Sequence, residues 1–444
     1  MLLTEKIYAY SKELMNNRPG YEISEELKKR IVDSIFVSYG AKDAEPVKIG
    51  MKMLLPSKGK LNGRIYFTRK KASVDVATFI NGCMTRFLDY NDTYLSKEAL
   101  HPSDNIPPLI AMGSSMDLDG EHLIRSAYVS YQILGALADA VSIRERGWDH
   151  VTYISISSAA GLAALLDLDD KRFIHTLNLA INNNISLRQT RAGELSMWKG
   201  CTAGNASRNS VFAVMLAMGG FTGPGPIFEG EMGFFKQVSG EFDLDLTKDR
   251  VMRTMIKNYP VEYHAMSAVD AALLIKKKMK GFIRRIDVTT FDVAYRIIIK
   301  DPEKLRPQTK ETADHSMPYI IAYTLNYGAP DLDSYDKKFL RDEKILSLID
   351  KMTFNVSEKY NSMYPEYLPV KIDVLTNEGL FSEEITVPKG HFRDPFTWDD
   401  LKEKGLKIIK DEDLVNSIMD AGKSLEHISV NEFLDVITNV NTKG

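Results

Sequence analysis

The chain has 444 residues, of which 26% are charged and 44% hydrophobic, with 57 basic against 60 acidic side chains and a formal net charge of −3. This length accommodates more than one domain and a sizeable buried core. The near-neutral balance argues against a nucleic-acid or membrane partner, because phosphate binding normally needs a strongly basic face. Two cysteines, Cys83 and Cys201, are too few for a disulfide framework or a cysteine-ligated four-iron cluster.

The amino terminus, MLLTEKIYAY, lacks the basic, apolar and small-residue succession of a signal peptide, which predicts a cytoplasmic protein. The longest apolar stretch, residues 127–141, contains Asp139 and is shorter than the ~18 residues of a spanning helix. It therefore predicts a buried core helix.

Apolar residues recur every three or four positions through the first part of the chain. This pattern predicts helices over residues 25–39, 74–88, 122–142, 157–166 and 205–218. The glycine- and proline-rich residues 219–233 follow a helix and lack the Gly-Lys-Ser/Thr ending of a phosphate loop, so we interpret them as a packing loop.

The residue pattern changes near residue 280, where β-branched and aromatic residues begin to occur at nearly every second position. Strands are predicted over residues 286–300, 368–376 and 382–387, with helices over residues 311–327 and 336–351. The tail after Trp398 returns to helical periodicity, and we expect it to pack against the first domain. The predicted fold is mainly α, with a large all-helical domain (1–265 and 400–444) and a smaller α+β domain with an antiparallel sheet (266–399).

His101 stands just before a predicted helix that Asp104 or Asn105 can cap, with two prolines in its first turn. Helix amino termini attract anions. Upstream, Asp89 and Thr93 are four residues apart, and therefore on one helix face if the helix extends that far. A carboxylate, a hydroxyl and an imidazole at one place can orient and protonate a substrate oxygen. The alternative is that these residues only end one helix and begin another.

The same arrangement recurs along the chain, with a basic side chain in a loop ahead of a helix. His150 precedes the helix predicted from residue 157, and Lys199 precedes one that Asn205 or Ser207 can cap, with Arg191 upstream. Lys257 and His264 flank another such loop. Helix termini and cations together suit a polyanionic small molecule. We interpret His122, His175, His391 and His427 as structural, and no histidine pair has the short spacing of a metal site.

Long blocks of this sequence resemble the MmgE/PrpD family, and its 2-methylcitrate dehydratase branch in particular. The blocks lie in order along nearly the whole chain: RFLDYNDTYL from Arg86, HPSDNI from His101, RGWDH from Arg146, SMWKG from Ser196, FTGP from Phe221, YPVEYH from Tyr259, DHSMPY from Asp314 and GHFRDP from Gly390. Glu262 and His264 after Pro260 are similar to the dehydratase pattern, whereas the cis-aconitate decarboxylase branch has other residues there.

The resemblance implies an all-helical domain, a smaller α+β domain, an active site between them, a homodimer, and catalysis without metal or cofactor. It implies dehydration of 2-methylcitrate, with citrate as a second substrate, in propionate catabolism through the methylcitrate cycle. Carried over residue by residue, it gives eight site residues: Asp89, Thr93, His101, His150, Lys199, Lys257, His264 and Tyr319. With the residues discussed above, we expect catalytic groups at Asp89, His101, His150 and Lys199 and substrate-binding groups at Thr93, Arg191, Lys257, Glu262, His264 and Tyr319. Tyr319 rests on the resemblance alone, since its periodicity is that of an ordinary helix residue.

Dehydration of a hydroxy tricarboxylate removes a proton beside a carboxylate and expels hydroxide, so it requires cations and a general acid. We expect His101 and His150 to form the acid–base pair, with their individual roles open, and Asp89 to orient His101. Lys199, Lys257 and Arg191 would stabilise developing charge, and Thr93 and Tyr319 would hydrogen-bond the substrate. The alternatives are a decarboxylase, another polycarboxylate lyase or an epimerase on this fold, and a tricarboxylate-binding protein without catalysis.

Overall fold

A computed structural model describes residues 1–57, 59–193 and 195–438 of the chain. The chain forms two compact units, and neither is continuous in sequence. The helical unit comprises Met1–Arg191, Met197–Thr254 and the chain from Thr397 onward, and the mixed unit comprises Ala192–Ser196 and Met255–Phe396. The domain boundaries expected from the sequence lie after residues 265 and 399, and they stay predictions. The last six residues of the predicted tail lie outside the described residues.

The helical unit consists mostly of α-helices. They are α1 (Leu3–Asn16), α2 (Tyr21–Ala41), α3 (Glu45–Met53), α4 (Val74–Phe87), α5 (Ile106–Met116), α6 (Gly120–Ala140), α7 (Val151–Leu165), α8 (Asp170–Asn182), α9 (Thr202–Met218), α17 (Trp398–Ile409), α18 (Glu412–Lys423) and α19 (Val430–Thr438). Two short antiparallel pairs join them, β1 (Asn62–Arg64) with β2 (Lys71–Ser73) and β3 (Tyr94–Leu95) with β4 (Ala99–Leu100).

Helix α7 is the centre of the helical unit, and every one of its residues is buried. Its sequence is rich in alanine, serine and glycine, so neighbouring helices can approach closely on all sides. It packs against α6, α8 and α9, while α4 packs against α9, α5 and α2. The stretch predicted as a buried core helix is most of α6, which confirms that interpretation. None of the helices within the described residues has the length and apolar character needed to cross a bilayer.

The tail returns to the helical unit, as its periodicity predicted, because α17 and α18 pack against α2. The apolar positions of α17 recur at helical spacing and are buried at Leu401, Gly405, Ile408 and Ile409. A buried lysine on the same face, Lys404, ion-pairs with Asp33 of α2 at 2.6 Å. Helix α17 therefore contributes to the core of this unit.

The mixed unit has a four-stranded sheet and shorter helices. Its elements are α10 (Met266–Lys278), β5 (Ile283–Thr290), α11 (Asp292–Ile298), α12 (Lys310–Ala313), α13 (Met317–Tyr327), α14 (Lys337–Leu340), α15 (Glu343–Ile349), β6 (Met352–Val356), α16 (Glu358–Met363), β7 (Val370–Thr376) and β8 (Leu380–Ile385). The strand order is β6-β5-β7-β8, and α10 packs on β7 and β8. Alternate residues of β7 are buried, which is the pattern of a strand with one face on a core.

The mainly α fold class is confirmed, and β5–β7 and β7–β8 are antiparallel as predicted. Strand β6 adds a parallel edge beside β5 that the sequence reading did not predict. The strand predicted over residues 286–300 is wrong in its second half, where the chain becomes α11. The buried positions there, Phe291, Ala294 and Ile298, have helical spacing, and the β-branched composition concealed this change of period.

Two predicted helices are each divided in the structure. The helix predicted over residues 311–327 is interrupted between α12 and α13, where the Ser316 side chain caps α13 by accepting from the Tyr319 N–H. The helix predicted over residues 336–351 is interrupted between α14 and α15, where Asp342 caps α15. Serine and aspartate compete well for backbone N–H groups, so each begins a new helix rather than continuing the old one.

Candidate functional site

Asp89 lies in the turn after α4 and is almost fully buried. Helix α4 ends at Phe87 and Asp89 takes a left-handed conformation with φ of 51°. The helix therefore does not extend to Thr93, and the condition under which Asp89 and Thr93 would share a helix face is not met. Its carboxylate ion-pairs with Arg86, and the Lys199 Nζ lies 3.4 Å from Oδ2. The reversal of the chain at Asp89 therefore turns its side chain towards two buried cations.

The His101 side chain lies beside this carboxylate, with Nε2 3.9 Å from Asp89 Oδ1. Its Nδ1 is 2.7 Å from the backbone oxygen of Asp92, and its Nε2 is 2.9 Å from the Arg86 Nη2. A carbonyl oxygen only accepts, so Nδ1 carries the hydrogen and Nε2 accepts from Arg86. In this state His101 is neutral, and its Nε2 lone pair faces Arg86.

The loop that carries these groups is held by buried side chains. Asp92 accepts from the Ser103 N–H and from the Tyr131 hydroxyl, each at 2.8 Å, and burial raises the pKa of Asp92. The Thr93 hydroxyl donates to the Leu100 carbonyl at 3.1 Å. The predicted substrate-binding Thr93 thus uses its proton within the loop and keeps its oxygen as an acceptor.

Asn105 occupies the predicted position ahead of α5, and two prolines stand in the first turn of that helix. Its side chain forms no capping bond, contrary to the expectation for this position. It donates instead to the Pro102 carbonyl, and its oxygen accepts from Ser157 and Ser158 of α7. The hydrogen bonds to α7 replace the cap, because a buried amide oxygen is normally hydrogen-bonded and the serine hydroxyls of α7 supply the donors.

His150 is the residue immediately before α7, which begins at Val151 and not at residue 157 as predicted. Its Nε2 is buried without a hydrogen-bond partner among the described residues, and its Nδ1 lies 3.2 Å from Asp149 Oδ1. Burial, followed by the charge of Arg191, lowers the pKa of His150 to about 3. His150 is therefore neutral at physiological pH.

The two predicted acid–base residues are neighbours in the structure. The His101 and His150 ring centroids are 5.8 Å apart, and the rings meet edge to face at 62°. Arg191 contacts the residue before His150, with its Nε 3.0 Å from Asp149 Oδ2. Lys199 is buried in a 3-10 helix (Met197–Gly200), and α9 begins after Cys201, so neither Asn205 nor Ser207 caps that helix as predicted. The helical unit thus brings together Asp89, Thr93, His101, His150, Arg191 and Lys199.

The other predicted site residues lie in the mixed unit. Glu262 accepts from both the backbone N–H and the Nδ1 of His264, at 2.9 and 2.7 Å, and His264 Nε2 is 3.3 Å from the Tyr364 hydroxyl. Burial opposes ionisation of Glu262, but His264 outweighs it and lowers the pKa of Glu262 to about 2. The Lys257 Nζ donates to the Val261 carbonyl at 3.1 Å.

Tyr319 is fully buried near the start of α13, and burial raises the pKa of its hydroxyl. That hydroxyl donates to the Ser334 carbonyl at 2.7 Å. Its predicted role as a substrate donor therefore requires exchange of this bond, and it stays a prediction.

Sequence reasoning left out several ionisable groups that contact the predicted ones. Arg86 bridges Asp89 and His101, and Asp149 contacts both His150 and Arg191. In the mixed unit, His315 Nδ1 contacts Asp314, whose backbone oxygen accepts from the Glu262 N–H at 2.7 Å. Two of these groups could have been found from the sequence as charged neighbours of predicted site residues. Arg86 is three residues before Asp89, and Asp149 is next to His150.

A separate cavity of about 270 Å³ opens in the helical unit near α1 and α2. Its charged lining consists of Arg18, Lys28 and Arg125 with Glu25, Glu121 and Glu426, together with His427. These cations ion-pair with these carboxylates, so the cavity has no excess charge for a polyanion. The residues around His101 and His150 are the better candidate site.

Two sequence models from one family match the chain, the MmgE/PrpD N-terminal domain over residues 5–247 and the MmgE/PrpD C-terminal domain over residues 259–419. A 2-methylcitrate dehydratase of Escherichia coli (strain K12) is 26% identical over 397 residues, covering 81% of this chain and 81% of that protein. A mitochondrial 2-methylcitrate dehydratase of Yarrowia lipolytica is 27% identical over 340 residues, covering 70% and 65%. A fungal alkylcitrate dehydratase is 25% identical over 409 residues, covering 82% and 79%.

Proposed function

Because the chain belongs to the MmgE/PrpD family, we propose that it is a hydro-lyase that dehydrates 2-methylcitrate to 2-methyl-cis-aconitate, with citrate as a second substrate. The named relatives support a dehydratase. The observation that carries the proposal is the pair of imidazoles, His101 and His150, beside the buried Asp89 and Lys199. A role in propionate catabolism, a cytoplasmic location and a homodimer belong to the same proposal.

The reaction breaks a C–H bond next to a carboxylate and the C–O bond of the neighbouring hydroxyl, forms a C=C bond, and releases water. The base must be neutral and offer a lone pair to the substrate. His150 is neutral, and no residue within the described ranges hydrogen-bonds to its Nε2. Bound tricarboxylate would raise the pKa of His150, since nearby negative charge favours the imidazolium. We therefore assign the proton abstraction to His150.

The leaving hydroxide needs a proton, and His101 is our candidate for the general acid. Asp89 lies 3.9 Å from His101 Nε2 and would stabilise the imidazolium form that donates this proton. Protonation of Nε2 displaces the hydrogen bond from Arg86, because both groups would then be donors. The freed guanidinium is left to pair with Asp89 and with the carboxylates of the substrate.

The remaining predicted residues supply charge and hydrogen bonds. Developing negative charge on the substrate carboxylate is stabilised by fixed cations in a site that excludes water. Lys199 has this role in the helical unit, with Arg191, whose Nη2 is buried and unpartnered among the described residues. We propose substrate-binding roles for Thr93, Lys257, Glu262, His264 and Tyr319 on the family resemblance.

The kinetic test uses His101→Ala and His150→Ala, with exposed His122→Ala as the matched control. General acid–base catalysis contributes about 10² to 10⁴ in rate, so each site variant should lose at least about a hundredfold in turnover of 2-methylcitrate. The ultraviolet absorbance of the unsaturated product reports the rate, and circular dichroism reports the fold. Turnover near that of the unsubstituted enzyme in either variant would show that the histidine has been misassigned.

The same assay separates the alternative functions. Carbon dioxide released from cis-aconitate would indicate a decarboxylase, and thermal stabilisation by citrate without turnover would indicate a binding protein. We also propose that no metal or cofactor is needed, so activity should survive exhaustive treatment with a chelator. Loss of activity that a divalent cation restores would contradict that part of the proposal.

A further inference from the structure

Asp149 is a fully buried carboxylate that directly precedes His150. The Nε of Arg191 contacts both of its oxygens, at 3.2 Å to Oδ1 and 3.0 Å to Oδ2, and the Val151 N–H donates to Oδ1 at 3.2 Å. Burial opposes ionisation of Asp149, but Arg191 and then His150 outweigh it, so the pKa of Asp149 is lowered. A charged carboxylate is therefore held rigidly at the amino terminus of α7.

The position of this carboxylate determines which nitrogen of His150 carries the hydrogen. Nδ1 lies 3.2 Å from Asp149 Oδ1, where an N–H is attracted to the negative oxygen and a lone pair is repelled by it. The hydrogen of the neutral ring therefore belongs on Nδ1. Nε2 is left with its lone pair, and it is the nitrogen that is buried with no hydrogen-bond partner in the part of the chain that the structure describes.

We propose that Asp149, clamped by Arg191, is a positioning residue that holds His150 in its Nδ1–H tautomer and so presents Nε2 as the proton acceptor. The part of this inference that concerns proton transfer rests on the proposed dehydratase function. The tautomer itself does not, because it follows from the contacts of Asp149 alone.

This inference also gives Arg191 two tasks. Its Nε holds Asp149, while its Nη2 is buried without a hydrogen-bond partner among the described residues. Buried donors and acceptors without partners are rare because each costs free energy. A substrate that offers a carboxylate to Nη2 and a proton to His150 Nε2 satisfies both groups at once.

The test is Asp149→Ala, which removes both carboxylate oxygens; Asp149→Asn is unsuitable because its amide oxygen would stay where the Val151 N–H and the Arg191 Nε donate. Without the carboxylate, the nearby Arg191 cation favours a lone pair on Nδ1, so the hydrogen moves to Nε2 and the lone pair of Nε2 is lost. Long-range ¹H–¹⁵N correlation spectra of protein labelled with ¹⁵N-histidine distinguish the two tautomers. The His150 signals are assigned from the spectrum of His150→Gln.

We expect the Nδ1–H pattern in the unsubstituted protein and the Nε2–H pattern in Asp149→Ala. We also expect kcat for 2-methylcitrate to fall by about 10² or more, with little change in KM. Asp43→Asn removes an exposed carboxylate of the same unit and should change neither measurement. A circular dichroism spectrum confirms that each variant is folded.

An Nε2–H pattern in the unsubstituted protein would overturn the inference even if the variant failed to fold. An unchanged tautomer in folded Asp149→Ala would also overturn it. If the tautomer changes as expected while the unsubstituted protein dehydrates neither 2-methylcitrate nor citrate, the positioning role stands and the proposed function fails. The two hypotheses thus fail on different measurements.

Discussion

Helices α4 and α9 cross with their backbones in close contact, which makes Gly82 a sharp test of the packing. A Cβ added at Gly82 would lie 2.6 Å from the Gly204 Cα, whereas carbon atoms in contact are normally about 3.5–4.0 Å apart. Because the obstructing atom belongs to the backbone, the two helices must separate by about 1 Å. Gly82→Ala should therefore destabilise the helical unit.

The expected size follows from two opposing effects. Overpacking of this kind costs up to about 3 kcal/mol, and replacing a helical glycine by alanine gains about 1 kcal/mol. The net loss of about 2 kcal/mol corresponds to a Tm lower by roughly 3 °C, since a unit of this size has a large entropy of unfolding. Helix α4 leads into Asp89 and α9 follows Lys199, so the separation should also lengthen their 3.4 Å contact and lower kcat.

The matched control is Gly50→Ala, because Gly50 is also a buried glycine within a helix, α3. Its added Cβ would meet the Ile80 side chain at 3.4 Å, an ordinary contact, so the propensity gain should keep or raise Tm. Thermal unfolding followed by circular dichroism, with the dehydration assay on the same samples, compares the two variants. Equal Tm values for Gly82→Ala and Gly50→Ala would refute the close-contact reasoning.

Two further predictions concern the buried carboxylates Asp104 and Asp33. Burial raises the pKa of Asp104 to about 7, above the pKa of the same carboxyl in the unfolded chain. Between about pH 4 and 7 the folded protein therefore keeps a proton that the unfolded chain has lost, and the free energy of unfolding falls as pH rises. Asp104→Asn should reduce that loss, by up to ~1.4 kcal/mol per pH unit, and Tm measured from pH 5 to 8 checks it. Lys404→Met leaves Asp33 buried without its cation and should cost about 3–5 kcal/mol at pH 8, with recovery in the double variant Lys404→Met, Asp33→Leu. Burial raises the pKa of Asp33 to about 6, so the cost of Lys404→Met should be smaller at pH 5; an equal Tm loss at both values would contradict this.

The fold was predictable where one pattern persists over many residues. The long helices α2, α4, α6 and α9 have uninterrupted apolar periodicity, and the amphipathic α17 and α18 pointed to the return of the tail. The secondary-structure prediction was wrong or incomplete where the pattern changes over a few residues. At Phe291 the period changes from strand to helix within two residues, and the exposed edge strand β6 buries too little to show an alternation.

The residues proposed for the site could be named from the sequence, but their positions relative to one another could not. The pairing of His101 with His150 depends on α7 beginning directly at Val151 and on the reversal of the chain at Asp89, neither of which has a signature in residue spacing. The tautomer of each histidine depends on a single neighbour, the Asp92 carbonyl in one case and Asp149 in the other. Backbone carbonyls leave no trace in a sequence, so the first of these could be found only in the structure.

The helical unit is interrupted by the long segment Met255–Phe396 of the mixed unit, and this has a consequence for synthesis on the ribosome. Lys404 of α17 donates to the Tyr90 carbonyl at 2.9 Å and lies over the Tyr90 ring, so the loop beside Asp89 is completed by a residue more than 300 positions later. At about 5–20 residues per second, roughly 7–30 s separate the emergence of Thr254 from that of Thr397. During this interval the mixed unit is free to fold, while α2 exposes the apolar face that α17 and α18 later cover. The nascent chain must therefore keep that face from aggregating until its last segment arrives.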